Sequence, residues 1–356
     1  MAFLEFQNVR VAGMSAAVPK NRFSNLHPDN LDNFSADYRP EDFVASTGVE
    51  EGRDSEPLCP SDLCYEAADR LLLELGWDRK EVQALIFVSQ TPDYPMPCSA
   101  CILQDRLGLS KECYAFDCTL GCSGWVYGMS QVAALLQHGT IRRALLLTGE
   151  AHKISEYYPR DPLFGSAGTA TALEYDESAP LIQCHYGTDG SGYDAIIIPD
   201  GGCRNPATPA TFEKQEYEGK MMNRMQAHMK GIDVFAFGIS TAPKSIKKLA
   251  EHFGFDWNDA DYFVFHQANM KMNNQIVKKM KIDPEKAPSS MRYFANTSSA
   301  SIPLTIVTQI REQVLAGSKR LITCGFGVGL SWGTVALQTP ADIVIPELIE
   351  VEELAE

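Results

Sequence analysis

Residues 112–138, ECYAFDCTLGCSGWVYGMSQVAALLQH, combine a short strand, a cysteine between two glycines and a long helix. The pattern predicts the strand over 112–116 and the helix over 123–138. Cys122 stands at the start of that helix, where unpaired backbone N–H groups and the helix dipole favour a thiolate. Gly121 and Gly124 indicate a sharp turn that an acyl group can approach. This unit is typical of an α/β fold and makes Cys122 a candidate nucleophile.

Strands and helices alternate on both sides of this unit. In the first half we predict helices at 62–75 and 98–107, and strands at 84–89, 143–148, 169–174 and 181–184. In the second half we predict helices at 232–253, 273–280 and 301–315, and strands at 262–265, 320–324 and 330–337. Two such series of similar length predict a duplicated α/β architecture with helices on both faces of the sheets.

The chain divides into two halves, 1–200 and 229–337, a connecting segment, 201–228, and a tail, 338–356. The connection is rich in Gly, Pro, Asn, Lys, Glu and Met, which predicts a long loop that folds over a site as a lid. The tail carries six acidic residues and no basic one, and we expect a peripheral extension without a catalytic role.

Composition excludes several classes of function. The chain has 356 residues, of which 45% are hydrophobic and 22% charged, as in globular enzymes. Its net charge of −15 disfavours binding to nucleic acid or anionic membranes, and no apolar run is long enough for a membrane span. The N-terminus lacks the pattern of a signal peptide, so the ten cysteines predict reduced thiols and a cytoplasmic location.

The motif CSAC places Cys98 and Cys101 at CxxC spacing. A zinc site would need a second pair at ligand spacing, and none follows, so no metal is expected here. Ordinary buried cysteines are the commoner outcome for such a pair.

Two further polar groups follow predicted strands, as Cys122 does. His266 follows YFVF, and Asn296 follows MRYFA at 291–295, which we interpret as a strand. Ligands of open α/β sheets bind at the carboxyl ends of strands. Each residue alone is more often structural, as a core histidine or a turn amide. Together, a thiol, an imidazole and an amide can trap an acyl group and stabilise an enolate; a cysteine hydrolase would use the same three groups differently.

Six segments carry a specific resemblance: STGVEEGR, FDCTLGCSGWVYGM, MKGIDVFAF, HQANMKM, ANTSSAS and GFGVGLSWG. From about Leu4 to Leu337 the chain resembles the β-ketoacyl-ACP synthase III family, condensing enzymes of the thiolase fold (ACP, acyl carrier protein). The resemblance implies a layered αβαβα architecture. It also implies condensation of an acyl group with malonyl-ACP, with acyl-CoA and acyl-ACP as substrates and no metal or redox cofactor.

The resemblance assigns a role to each polar group. Cys122 would take an acyl group from a thioester, and His266 and Asn296 would hold the malonyl thioester carbonyl while carbon dioxide leaves. Backbone N–H groups of Cys122 and of Val328, in the turn GFGVG at 325–329, would stabilise the tetrahedral oxyanion. Family members are homodimers, in which Met96 would reach the acyl pocket of the partner.

A lysine-rich region surrounds HQANMKM: residues 244–281 contain seven lysines and four acidic residues. The resemblance implies that Lys271 receives an acidic acyl carrier protein, and Lys278 and Lys279 are further candidates. Solvated helix faces are the simpler explanation of this charge.

Departures from the family pattern concern the substrate. Asp42 and Ser46 stand where the family has a tryptophan and an arginine that hold the adenine of coenzyme A. FGSAGTA, at 164–170, is also altered. Both changes predict a divergent member that uses an acyl-ACP or an unusual acyl-CoA. Acyl transfer to a hydroxyl or amine without decarboxylation is the alternative within the fold, and a catalytically silent subunit is the non-enzymatic one.

Overall fold

The computed structural model describes residues 2–27, 39–152, 158 and 160–352. In this part of the chain the strands are β1 Ala2–Phe6, β2 Val9–Pro19, β3 Arg22–Ser24, β4 Glu51–Arg53, β5 Ala84–Val88, β6 Tyr114–Cys118, β7 Arg143–Glu150, β8 Ala167–Tyr175, β9 Ile182–Thr188, β10 Ile196–Ile197, β11 Gln215–Tyr217, β12 Lys220–Met222, β13 His228–Met229, β14 Tyr262–Phe265, β15 Arg320–Gly327, β16 Ser331–Gln338 and β17 Ile349–Val351. The α-helices are α1 Pro40–Thr47, α2 Pro60–Leu75, α3 Ser99–Arg106, α4 Gly124–Leu136, α5 Gly231–Phe253, α6 Met270–Met280, α7 Met291–Phe294, α8 Ser301–Gln309 and α9 Arg311–Leu315.

Two mixed sheets form the framework. The first has the strand order β17-β2-β8-β7-β5-β6, and its strands β5, β6 and β7 are parallel. The second has the order β1-β9-β16-β15-β14, in which only the pair β14 and β15 is parallel. Parallel strands end at the same sheet edge, so the chain leaves β6 and β14 towards ligand-binding positions.

The helices form three layers around these sheets. The largest core cluster joins α4 and α8 to both sheets, so these two helices form the middle layer. A second cluster packs α2 and α3 on the outer face of the first sheet. A third packs α5 and α6 on the outer face of the second sheet. The predicted layered αβαβα architecture is confirmed.

The tail is an integral part of the first sheet, and the prediction of a peripheral extension is wrong for residues 338–352. Strand β17 pairs in parallel with β2, and Val344 accepts a hydrogen bond from the N–H of Met14. Glu350 also forms a 2.7 Å ion pair with the buried Arg53. The acidic residues of the tail therefore lie among apolar residues that complete the core. Residues 353–356 lie outside the described part. Strands β1 and β9 come from the first predicted half yet belong to the second sheet.

Two predictions of secondary structure are also wrong. Residues 291–295 do not form a strand, because α7 occupies Met291–Phe294. Met291 and Phe294, three positions apart, are buried, whereas Arg292 and Tyr293 face solvent, which suits one helical turn. The helix predicted over 301–315 is two helices, because Ile310, with φ −132°, interrupts it.

The connecting segment folds mainly on itself. Strands β11 and β12 form a hairpin, and β10 pairs with β13 across the segment. Asp200 holds the Arg224 guanidinium at 2.8 Å and accepts a hydrogen bond from Thr211 at 3.0 Å. These contacts fix the segment internally, and its predicted action as a lid stays a prediction.

Candidate active site

Cys122 lies between the end of β6 at Cys118 and the start of α4 at Gly124, as predicted. The turn is too tight for larger residues. A Cβ atom added to Gly124 would lie 2.6 Å from Cγ1 of Val88, well inside van der Waals contact. Close packing against Gln90 and Val88 therefore requires glycine at both Gly121 and Gly124.

The Cys122 thiol has the partners expected of an acyl-binding sulfur. Three groups beside it act to lower its pKa: the backbone N–H groups of Val328 and of Cys122 itself, and the side chain of Ser298. Burial nevertheless raises the pKa of the thiol, and these three groups only oppose the rise. The expected stabilisation of a thiolate by the helix terminus is therefore outweighed by desolvation. The resting group is a neutral thiol that must lose its proton during reaction.

The motif GFGVG allows strand β15 to approach the cysteine closely. A Cβ atom on Gly327 would lie 2.6 Å from Sγ of Cys122, and one on Gly325 would lie 3.0 Å from its carbonyl oxygen. The strand extends through Gly327, so the turn predicted over 325–329 begins only at Val328. The glycines are needed for close approach, which brings the N–H of Val328 to the sulfur.

His266 follows β14 and is buried, with a relative exposure of 1%. Its Nδ1 lies 2.8 Å from Oγ of Ser301, and its backbone N–H donates to the carbonyl of Cys324 at 2.8 Å. Burial lowers the pKa of the imidazole to about 3, against a hydrogen bond with the Ser298 backbone that raises it. The ring is therefore neutral at physiological pH.

Asn296 is held by main-chain and side-chain contacts. Its N–H donates to the carbonyl of Leu163 at 2.9 Å, and its carbonyl accepts from the N–H of Gly165 at 3.1 Å. Its Oδ1 accepts the N–H of Ser298 at 2.9 Å. With the oxygen occupied, the amide NH2 is the group left to donate to a substrate carbonyl. The altered FGSAGTA segment thus positions this amide through the backbone.

Ser298 connects all three predicted groups and was missed from the sequence. Its hydroxyl contacts the Cys122 thiol, its N–H contacts Asn296, and its backbone contacts His266. Its φ of +47° lies in the left-handed region, an unfavourable conformation for serine that frequently marks functional sites. Ser298 lies inside the recognised motif ANTSSAS, but no spacing rule distinguishes it from its serine neighbours.

We expect Ser298→Ala to slow acylation of Cys122 about tenfold, because the thiolate loses one hydrogen bond worth roughly 1.5 kcal/mol. The pH–rate profile should also move to higher pH, since that hydrogen bond lowers the pKa of the thiol. Ser299→Ala is the matched control, because the Ser299 hydroxyl donates to the carbonyl of Val88 at 3.4 Å instead. Stopped-flow acylation rates for the two variants measure the difference; equal rates contradict this role.

Glu150, at the end of β7, is a second unpredicted group near Cys122. Its carboxyl accepts hydrogen bonds from the hydroxyl of Thr91 at 2.7 Å and the N–H of Gln90 at 3.0 Å. Burial raises its pKa to about 7, although these hydrogen bonds lower it, and a charge on Cys122 would raise it further. The sequence shows only an acidic residue at a strand end, which is common on surfaces.

A Glu150→Gln variant should remove one source of pH-dependent stability. The folded pKa of about 7 exceeds the ordinary value, so the carboxyl stabilises the fold fully below about pH 4.5. That contribution to the unfolding free energy is about 3 kcal/mol. It decreases as pH rises and is lost above pH 7. We therefore expect the wild type to lose this much unfolding free energy relative to the variant between pH 4.5 and 7. Urea titrations measure it, and a pH-independent difference contradicts it.

The remaining predicted residues lie on the surface. Met96 is 83% exposed, and Lys271, Lys278 and Lys279 all face solvent on α6. Lys279 additionally donates to the carbonyl of Ile239 at 3.1 Å. Helix α6 begins at Met270, earlier than predicted, because Oδ1 of Asn269 caps it by accepting the N–H of Met272 at 2.7 Å.

The described residues contain no group of three or more His, Cys, Asp or Glu side chains that could hold a metal ion. Across the same ranges, none of the helices combines the length and hydropathy needed to cross a membrane.

Comparisons with known proteins identify the family. Residues 116–190 match the family model for 3-oxoacyl-[acyl-carrier-protein] synthase III, and residues 250–339 match the model for its C-terminal region. A β-ketoacyl-[acyl-carrier-protein] synthase III of Desulfitobacterium hafniense strain Y51 is 30% identical over 336 residues, which cover 93% of this chain and 98% of the relative. That of Chlamydia caviae is 31% identical over 348 residues, covering 95% and 99%.

Similar solved structures support the same family. A 3-oxoacyl-(acyl-carrier protein) synthase from Burkholderia xenovorans LB400 is 34% identical, covers 98% of this chain and 99% of that one, and superposes with a TM-score of 0.88. A synthase III from Pseudomonas aeruginosa PAO1 is 27% identical, covers 95% and 100%, and gives a TM-score of 0.80. The predicted resemblance is confirmed, and the chain belongs to the 3-oxoacyl-[acyl-carrier-protein] synthase III family of condensing enzymes.

Proposed function

We propose that this enzyme is an acyltransferase that condenses an acyl group held on Cys122 with malonyl-ACP to give a 3-oxoacyl-ACP. One observation supports the assignment most directly. The thiol, the imidazole and the amide all contact Ser298, and the N–H of Val328 contacts the thiol. This is the set of groups that acyl transfer followed by decarboxylation requires.

In the first step, the sulfur of Cys122 attacks the carbonyl of an acyl thioester. The N–H groups of Cys122 and Val328 would stabilise the tetrahedral oxyanion, since both act on the reacting sulfur by lowering the pKa of the thiol. Collapse breaks the bond to the carrier sulfur, and the carrier leaves as a thiol with the proton of Cys122. The acyl group remains on the enzyme.

In the second step, the malonyl thioester carbonyl accepts hydrogen bonds from His266 and from the amide of Asn296. Ser301 accepts the N–H of Gln267 at 3.4 Å and can donate its own proton to Nδ1 of His266, which favours a proton on Nε2. Two neutral donors stabilise the enolate that forms when carbon dioxide leaves. Its carbon then attacks the acyl carbonyl, and the Cys122 sulfur leaves and is reprotonated.

Neither proposed step requires a metal or redox cofactor. The first transfers an acyl group and a proton, and the second releases carbon dioxide, transfers the acyl group and takes up a proton. Transfer to a hydroxyl or amine without decarboxylation is not favoured by the named relatives. Complete placement of the three groups around Ser298 also disfavours a silent subunit. A hydrolase would need a ring nitrogen of His266 to accept the thiol proton, whereas the Ser301 hydrogen bond at Nδ1 favours a proton already on Nε2.

We propose an acyl-ACP as donor in preference to acetyl-CoA. Asp42 and Ser46 lie exposed on α1, and Ser46 donates to the carbonyl of Phe43 at 2.9 Å. Neither the Ser46 hydroxyl nor the Asp42 carboxylate offers a stacking surface for adenine. Neither supplies a cation for the phosphates of coenzyme A.

Intact-protein mass spectrometry with acyl-CoAs and acyl-ACPs tests both the chemistry and the donor. We expect a mass increase of one acyl group from acyl-ACP, lost in Cys122→Ala, and release of carbon dioxide from malonyl-ACP. Labelling from acetyl-CoA at an equal rate would refute the donor preference. Labelling without carbon dioxide release would favour the non-decarboxylating alternative.

The proposed carrier surface consists of Lys271, Lys278 and Lys279 on α6, a helix that begins four residues after His266. We expect Lys271→Glu to raise KM for malonyl-ACP about tenfold, because an attractive charge becomes repulsive to an acidic partner. The KM for a malonyl thioester without a carrier protein should not change. Lys111→Glu, an exposed lysine before β6 on the other sheet, is the control. Equal effects of both reversals would indicate a general charge effect.

We further propose a homodimer in which Met96 enters the acyl pocket of the partner, and a cytoplasmic location. Met96 is 83% exposed, and contact with a partner would remove its apolar side chain from water. Sedimentation analysis tests the dimer, and the acyl-chain preference of Met96→Ala tests the pocket.

A further inference from the structure

Cys98 and Cys101 are surface thiols in contact with each other. Their sulfur atoms lie 3.2 Å apart, Cys101 is exposed and Cys98 is half-buried. The expectation that this pair would be buried structural cysteines is therefore wrong. The proposed condensation uses neither of these two thiols, because its nucleophile is Cys122.

The backbone holds the pair in a geometry that permits a disulfide. The N–H of Cys101 donates to the carbonyl of Cys98 at 3.2 Å, which closes a turn and places the two Cα atoms within about 7 Å. A disulfide bond is about 2.0 Å long and tolerates Cα separations of roughly 4.4 to 6.8 Å. The sulfurs therefore need to approach by about 1.2 Å, which side-chain rotation can supply.

The surroundings favour the disulfide over a stabilised dithiolate. Cys98 is the N-cap residue of α3, but its side chain makes no capping hydrogen bond. Asp117 instead accepts hydrogen bonds from the N–H groups of Ser99 at 2.8 Å and Ala100 at 2.7 Å. The pKa of the Cys101 thiol is raised, mainly by its hydrogen bond with Cys98 and then by burial. A thiolate receives little stabilisation here, so the reduced form gains no advantage from ionisation.

We propose that Cys98 and Cys101 form a reversible intramolecular disulfide with a low-molecular-weight disulfide as oxidant. The exposed Cys101 sulfur attacks the oxidant, releases one thiol and forms a mixed disulfide. Cys98 then attacks the Cys101 sulfur and releases the second thiol. Two electrons pass to the S–S bond of the oxidant, and the two protein protons leave on the released thiols. A metal role is disfavoured, because no third ligand joins the pair among the described residues.

The inference is independent of the proposed condensation, so the test uses Cys122→Ala protein, in which the candidate nucleophile cannot react. The protein is incubated with glutathione disulfide, and its remaining thiols are alkylated before digestion with trypsin. Cleavage after Lys80 and Arg106 releases a peptide, residues 81–106, that contains Cys98 and Cys101 and no other cysteine. We expect this peptide to lose two hydrogens, to take up no alkylating reagent, and to recover both thiols with dithiothreitol.

Two comparisons make the result specific. With Cys98→Ser added, Cys101 should accumulate the mixed glutathione disulfide, because no second thiol can displace it. Cys203, an exposed cysteine outside the pair, reports whether the oxidant has reacted. The proposal is overturned if residues 81–106 stay fully alkylated when Cys203 is modified. It is equally overturned if the pair stops at the mixed disulfide while Cys98 remains free.

Discussion

A His266→Ala variant is expected to release carbon dioxide from malonyl-ACP about 10²- to 10³-fold more slowly than the wild type, while Cys122 still takes up an acyl group. The buried ring, with a pKa of about 3, is neutral, and a neutral donor suits an enolate that forms and disappears within one cycle. The Cys122 sulfur keeps its contacts with Val328 and Ser298, which do not involve the imidazole.

Parallel assays separate the two steps. Intact mass measures acylation, and trapping of labelled carbon dioxide measures decarboxylation. If both fall together in His266→Ala, the histidine acts as a base on the thiol, and the proposed division of roles is incorrect.

Asn296→Asp is the matched test of the second donor. The carboxylate can still accept the N–H of Ser298, so the local turn is preserved, but it cannot donate to a carbonyl. Decarboxylation should therefore fall as much as in His266→Ala, with acylation again maintained. Retained decarboxylation in this variant would show that the amide is structural.

A Gly327→Ala variant should lose acylation of Cys122 by at least 100-fold. The new methyl carbon would lie 2.5 Å from Cβ and 2.6 Å from Sγ of Cys122, far inside van der Waals contact. Relieving this overlap must displace either the sulfur or the adjacent Val328 N–H, and a 1 Å displacement at a reacting centre costs about 100-fold.

Gly190→Ala is the control, because a Cβ atom there meets nothing within 4 Å. Labelling kinetics and thermal unfolding should be measured on both variants. We expect Gly327→Ala to lower the melting temperature as well, since overpacking costs about 1–3 kcal/mol. Normal acylation in Gly327→Ala would mean that the close approach of β15 is not needed for the chemistry.

Much of the fold followed from local pattern. The uninterrupted apolar run at Ala84–Val88 correctly indicates a strand buried on both faces. The predicted bounds of α2, 62–75, differ from the observed ones by two residues at the start. Short segments were less secure: 291–295 contains apolar and aromatic residues that suit a strand, yet one helical turn buries Met291 and Phe294 better. The tail misled because its acidic residues obscured the apolar positions that complete the first sheet.

The sequence by itself determined the family and the layered α/β architecture, and it identified Cys122, His266 and Asn296 as candidate site residues, because each lies in a distinctive motif. Only the tertiary structure decided how these groups interact. Ser298 and Glu150 became visible once separate segments were brought together, and the ionisation of Cys122 and His266 depends on burial by distant residues. Desolvation and hydrogen bonding across the fold are long-range properties, and no local pattern encodes them.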